Sequence, residues 1–122
     1  MPDFISVVVP TFRRPTSLRR CLVALDTQSR LPDEVVVAVR DSDSETSRLV
    51  ATWSSRFRLD TVRVERPGGV AALNAALAVV QGDVVAFIDD DTEPHADWLA
   101  RVAAHFEQDP TLGGLGGRDC NT

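Results

Sequence analysis

Apolar positions along the chain follow two alternating rhythms. Short β-branched runs are separated by stretches whose apolar residues recur every three or four positions. Ile5 to Val9 is the first run and stops at Pro10. Helical spacing follows: Pro15 opens it, Thr16 or Ser17 is the expected cap, and Leu18, Cys21, Leu22 and Leu25 lie at i, i+3, i+4 and i+7. Pro32 closes the connection to a valine-rich second run, Glu34 to Val39. Ser42 and Glu45 have capping-box spacing, and a helix starting there would send Leu49 and Trp53 to the core. Leu59 to Val64 alternates as a weaker third strand. Gly68 and Gly69 predict a turn, followed by a third helix carrying Leu73, Leu77 and Val80, with Gly82 just past its end. Val84 to Ile88 is a continuous apolar run of the buried-strand type, ending abruptly at Asp89, Asp90 and Asp91. Pro94 sits near the start of a fourth helix, with Trp98, Leu99, Val102 and Phe106 on its apolar side. Leu112 to Leu115 is expected as a short fifth strand.

Strands alternating with helices predict a Rossmann-like, three-layer α/β/α fold with a mostly parallel sheet. Residues 1–122 are expected to form one domain. In such sheets ligands bind beyond the carboxyl ends of the strands, near the point where strand order reverses. Three polar clusters fall at that edge: Pro10, Thr11 and Arg13 after the first strand, Asp41, Ser42 and Asp43 after the second, and Asp89, Asp90 and Asp91 after the fourth.

Composition narrows the chemistry. The net charge of -5 argues against a nucleic-acid partner, which needs a basic face for phosphate contacts. All 13 basic residues are arginine, which excludes a Walker A loop, a Schiff base or any other lysine-dependent site. Two cysteines, Cys21 and Cys120, make neither a disulfide framework nor a zinc site, and Cys21 is expected as a small buried residue of the first helix. The first strand begins at once, and no apolar run approaches the roughly 20 residues that span a bilayer. A cytoplasmic location is the expectation, with membrane association only through a partner or a missing segment. The glycines at 113, 114, 116 and 117 lack dinucleotide-fingerprint spacing.

Three adjacent carboxylates repel one another. At about 4 Å and an effective dielectric of about 20, each like-charge pair costs about 4 kcal/mol, so a fold that gathers them usually supplies a cation. Hard oxygen ligands select Mg²⁺ or Mn²⁺, typically held by one or two carboxylates together with substrate phosphates. In an extended segment Asp89 and Asp91 point one way and Asp90 the other, so one face suits a metal while Asp90 reaches a ribose or the backbone. A solvated acidic loop capping the fourth helix is the plainer alternative.

Phe87-Ile88-Asp89-Asp90-Asp91, followed by Pro94, Trp98 and Leu99, resembles the DxD region of family 2 glycosyltransferases. Val7 to Arg14 resembles the opening strand and loop of that family, Val35 to Ser44 its second strand and acidic loop, Gly69, Ala72 and Asn74 its glycine-to-asparagine helix start, and Gly82-Asp83 its entry to the DxD strand. The resemblance implies a GT-A fold and transfer of a sugar from a nucleoside-diphosphate sugar, with inversion, to a saccharide, lipid or protein acceptor. It implies that Pro10, Thr11 and Arg13 line the nucleoside pocket, that Asp41 meets the base edge, that Asp89 and Asp90 contact the donor nucleotide, and that Asp89 and Asp91 serve the metal, Asp91 most directly. Two departures stand out. Arg40 precedes Asp41 where paired acids are usual, and Leu73 replaces an arginine before Asn74. The family's catalytic base lies beyond the DxD element, so no catalytic residue is assigned here and a truncated chain lacking the acceptor half is expected.

The other polar residues have simpler expected roles. Glu93, Asp97 and Glu107 are expected as solvated or capping acids of the fourth helix, and Asp119 has no assignable place. His95 and His105 are expected at the surface, Trp53 and Trp98 in the core, and Arg66 as a candidate phosphate contact. Two other function classes compete. A nucleotidyltransferase expects a glycine-rich first loop, and Thr11 to Thr16 contains no glycine. The second is a non-catalytic interaction domain.

Overall fold

The computed structural model describes residues 4–65, 69–82 and 84–108. Strand β1 (Ile5–Thr11), helix α1 (Pro15–Asp26), β2 (Glu34–Arg40), α2 (Ser44–Ala51), β3 (Arg58–Val64), α3 (Gly69–Leu77), β4 (Val84–Phe87) and α4 (Trp98–Gln108) follow in order. The four strands form one parallel sheet in the order β3-β2-β1-β4, with Val7 beside both Val35 and Ala86. The chain moves outward from β1 to β3, then returns to the other side of β1. Strand order therefore reverses between β1 and β4, which makes the crevice at their carboxyl ends the expected ligand position.

Strand alternation divides the core into two layers. Ile5, Val7 and Val9 of β1, with Val35, Val37 and Val39 of β2, pack against Leu18, Cys21, Leu22 and Leu25 of α1, Val50 of α2, and Leu99 and Ala103 of α4. Val8, Val36 and Ala38 face the other way, towards Ala72 and Ala76 of α3. Both sheet faces are covered, which is why β1 and β2 read as unbroken valine runs. Burying each leucine of α1 contributes roughly 1.5–3 kcal/mol, enough to hold a helix whose N-cap residue, Arg14, makes no side-chain capping bond.

Several boundaries differ from expectation. β1 continues through Pro10 to Thr11, where Pro10 stands opposite Ala38. β4 ends one residue early, at Phe87. The cap of α2 is Asp43, which accepts from Thr46 N–H, rather than the expected Ser42 box. α1 begins at Pro15, before either expected cap. α3 ends at Leu77, so Gly82 caps nothing; a Cβ there would lie 2.5 Å from Ser6 Oγ, and the glycine serves close passage against β1. α4 begins at Trp98, well after Pro94, and its Leu99 N–H donates to the Gln28 side-chain Oε1 at 3.0 Å. Buried Gln28 also donates to the carbonyls of Ala24 and His95, tying α4 to the end of α1. The expected fifth strand at Leu112 to Leu115 lies outside the described residues.

Candidate functional site

The first and fourth strands are tied at their carboxyl ends. Thr11 Oγ1 donates to Asp90 Oδ2 at 2.7 Å, and Arg14 Nη1 donates to Asp90 Oδ1 at 3.4 Å. Asp90 is 5% exposed, so both of its oxygens need such partners; an unpaired buried carboxylate is costly. Arg14 also lies 4.0 Å from Asp91 Oδ2. Residues 90 and 91 form a turn rather than continuing the strand, with Asp89 and Asp91 exposed to solvent on either side of buried Asp90.

This arrangement sets what cation the edge suits. Among the described residues no three histidine, cysteine, aspartate or glutamate side chains converge on one point. Two exposed hard-oxygen carboxylates fit Mg²⁺ or Mn²⁺ only when phosphate oxygens complete the shell, a common arrangement for Mg²⁺. Asp89 and Asp91 are the two exposed carboxylates at this edge that could contribute to such a shell. Cys21 lies beneath, its Sγ 3.9 Å from the Asp89 carbonyl. Burial first, and then the negative charges of Asp90, Asp91, Glu93 and Asp89, push the Cys21 thiol up to about 12. It stays a protonated, inert core residue at neutral pH and supplies no soft ligand.

The loop after β1 is held by α2. Arg13 adopts a left-handed backbone conformation (φ 53°), and its N–H donates to Asp43 Oδ2 at 2.6 Å. The same oxygen accepts from Thr46 Oγ1 at 2.6 Å, while Oδ1 accepts the Thr46 N–H at 3.2 Å. Burial alone would raise the Asp43 carboxyl; the bonds from the Thr46 hydroxyl, the Arg13 N–H and the Thr46 N–H outweigh it and hold the group below its ordinary value. This anchored loop presents Phe12, 43% exposed, with the guanidinium carbons of Arg13 and Arg40 at 5.0 and 5.3 Å from its ring centroid.

At the end of β2, the Asp41 N–H donates to the Val64 carbonyl at 3.2 Å, fixing the backbone beside β3. The exposed Asp41 lines an open cleft of about 490 Å³ with Arg63, Val64, Glu65, Ala71 and Ala75. Alanines on α3 leave this space free. Half-buried Arg40 comes just before Asp41, and its Nε is buried without a hydrogen-bond partner among the described residues.

The structure thus joins Thr11 directly to Asp90, places Arg13 on the loop beside Phe12, and sets Asp41 at the lining of the cleft, while Asp89 and Asp91 flank buried Asp90. Pro10 is a half-buried strand residue. His95 and His105 are exposed, and Trp53 and Trp98 pack against the core. Arg66 and Asp119 lie outside the described residues. Three site residues escaped the sequence reading: Phe12, Arg14 and Arg40. An exposed aromatic residue in a polar loop was a usable signal for Phe12. Arg14 and Arg40 depend on contacts with residues distant in sequence.

The glycosyl transferase family 2 model matches residues 6–121. The chain belongs to glycosyl transferase family 2. It is 29% identical over 104 residues to glycosyltransferase AglE of Haloferax volcanii, covering 80% of this chain and 34% of that protein. Among solved structures, the mannosyltransferase PcManGT of Pyrobaculum calidifontis, in complex with GDP-Man and Mn²⁺, superposes with a TM-score of 0.80 at 31% identity, covering 96% of this chain and 36% of that one. TarS of S. aureus in complex with UDP-GlcNAc superposes with a TM-score of 0.76 at 25% identity, covering 98% of this chain and 37% of that one. These neighbours are GT-A glycosyltransferases, and the three-layer α/β/α arrangement expected from the sequence is the one observed. The chain spans about a third of the length of each of these three proteins.

Proposed function

We propose that this chain is the donor-binding part of a metal-dependent glycosyltransferase, which transfers a sugar from a nucleoside-diphosphate sugar with inversion. The observation that carries the reading is the Thr11–Asp90 bond, which closes the β1 and β4 ends together at the point of strand reversal, with the carboxylates of Asp89 and Asp91 exposed beside it. Complexes of family neighbours with GDP-Man and Mn²⁺ or with UDP-GlcNAc support the ligand class.

In this reading Asp41 takes the nucleoside by its carboxylate, and the exposed Phe12, its ring packed against the Arg13 and Arg40 guanidiniums, borders the site. Pro10, Thr11 and Arg13 shape the pocket from the β1 side. Asp89 and Asp91 hold Mg²⁺ or Mn²⁺, Asp91 most directly. Asp90 acts on the donor side by fixing the turn through Thr11 and Arg14. A metal held there would supply positive charge against the diphosphate and the leaving group. The side chain that deprotonates the acceptor hydroxyl is expected outside these 122 residues. Thermal melting with UDP, GDP or dTDP sugars, with and without Mn²⁺, tests the reading. Metal-dependent stabilisation that disappears in Asp91→Ala supports it; a shift that is the same for every ligand and untouched by that substitution refutes it.

A further inference from the structure

Arg14 stands against the acidic run at the carboxyl end of β4. Its Nη1 lies 3.4 Å from Oδ1 of Asp90 and 4.0 Å from Oδ2 of Asp91. Among the described residues no other cation forms an ion pair with Asp89, Asp90 or Asp91. The two contacts differ in kind. Asp90 is buried and needs partners for both oxygens, so Thr11 on Oδ2 and Arg14 on Oδ1 hold the turn. Asp91 is exposed and needs no protein partner. The Arg14 side chain is 59% exposed and that of Asp91 61%, so their contact is a solvated pair, easily given up. The bond to Asp90 nonetheless keeps a positive charge beside the Asp91 carboxylate, where the metal reading needs room for a second one.

We propose that Arg14 competes with the divalent metal for Asp91 and keeps this edge from loading Mg²⁺ or Mn²⁺ until a nucleoside diphosphate arrives. This rests on the metal-dependent donor-binding reading above and concerns the same edge of the sheet. Without nucleotide, a divalent ion at Asp91 meets the Arg14 guanidinium close by, and the two repel. Two exposed carboxylates are a sparse shell for such an ion, so one nearby cation weighs heavily against it. A diphosphate changes both terms. Its oxygens complete the shell, and its charge offers the guanidinium another acceptor. The exposed Arg14 side chain can then leave Asp91 without disturbing the core. Arg14 acts through Asp91 and is a positioning residue. Metal and nucleotide load together because the protein carries its own placeholder cation.

Mn²⁺ titration followed by electron paramagnetic resonance, without nucleotide, tests the inference on the unaltered chain, Arg14→Gln and Arg14→Lys. Glutamine keeps an N–H donor for Asp90 and removes the charge; lysine keeps the charge. Thr11 still satisfies Asp90 in both, and urea unfolding checks that both variants fold. Arg14→Gln is expected to bind Mn²⁺ alone at least about threefold more tightly than the unaltered chain. Arg14→Lys should stay within about twofold of it, and the gain in Arg14→Gln should vanish when Asp91→Ala is added. A purely structural Arg14 predicts the opposite sign, since loosening the turn weakens any metal site. Mn²⁺ binding in Arg14→Gln that is unchanged or weaker overturns the inference. So does an equal gain in Arg14→Lys, or a gain that survives Asp91→Ala. Those results leave the metal reading standing if Mn²⁺ still binds with GDP. If no chain binds Mn²⁺ with or without GDP, the metal reading itself fails and this inference falls with it.

Discussion

Asp43 links the fold to the site, and Asp43→Asn isolates that link. The carboxylate is 3% exposed and receives three hydrogen bonds, from the Arg13 N–H, the Thr46 N–H and the Thr46 hydroxyl. Asparagine keeps an acceptor oxygen for the Thr46 N–H but turns an NH₂ group towards the Arg13 N–H, donor against donor. Hydrogen bonds to charged groups contribute about 1.5–3 kcal/mol each, and a buried donor left unpaired costs about 1–3 kcal/mol. The two bonds at Oδ2 are partly recovered when the Thr46 hydroxyl rotates to accept, so the net loss is expected at about 2–3 kcal/mol. At roughly 3–6 °C per kcal/mol for this chain length, the melting temperature falls by about 6–18 °C. Urea unfolding followed by tryptophan fluorescence measures this directly, since Trp53 packs beside α2.

The same substitution carries a pH signature. The folded Asp43 carboxyl lies below its ordinary value of 3.8, so the unfolded chain takes up the proton more readily. The stabilisation is therefore fully present above about pH 4 and is lost as the pH falls through the folded value. The stability difference between the unaltered chain and Asp43→Asn should hold from pH 7 to pH 5 and narrow below pH 4. A difference under about 0.5 kcal/mol at neutral pH, or one that widens on acidification, refutes the anchoring role of Asp43.

Three other substitutions or treatments probe separate contacts. Arg13→Gly removes a left-handed backbone penalty of about 1 kcal/mol and keeps the N–H that bonds Asp43, so urea unfolding should show no loss of stability. Gly82→Ala would put a Cβ 2.5 Å from Ser6 Oγ and 2.8 Å from Ser6 N, and should lower stability by about 1–3 kcal/mol, read as a reduced urea midpoint. Cys21, with its thiol pushed up to about 12, should react with a disulfide reagent at pH 8 only at the rate of unfolding, measured beside a denatured control.

Much of the fold was legible because both faces of β1 and β2 are buried. Valine runs that fit neither an amphipathic helix nor a half-exposed strand leave a parallel sheet covered on both sides as their simplest explanation. The position of the acids at the end of β4 followed from the same pattern. Strand order did not, because periodicity reports which face a residue takes and says nothing of its lateral neighbour. The cap of α2 was misassigned because two offsets overlap: Ser42 with Glu45 has the side chains of a capping box, but Asp43 with Thr46 has the bond. The inward turn of Asp90 and the Gln28 tie to α4 rest on partners 79 and 71 residues away, beyond the reach of any local pattern.

Electron paramagnetic resonance of Mn²⁺ added to the chain, with and without GDP, tests the donor-site account most directly. If the proposed site holds a metal through Asp89 and Asp91 only together with phosphate oxygens, free Mn²⁺ signal should fall when nucleotide and protein are both present, beyond what GDP alone removes. Asp91→Ala should abolish that extra loss. Mn²⁺ bound equally well without nucleotide, or an extra loss that persists in Asp91→Ala, would contradict a shared metal and diphosphate site at the end of β4.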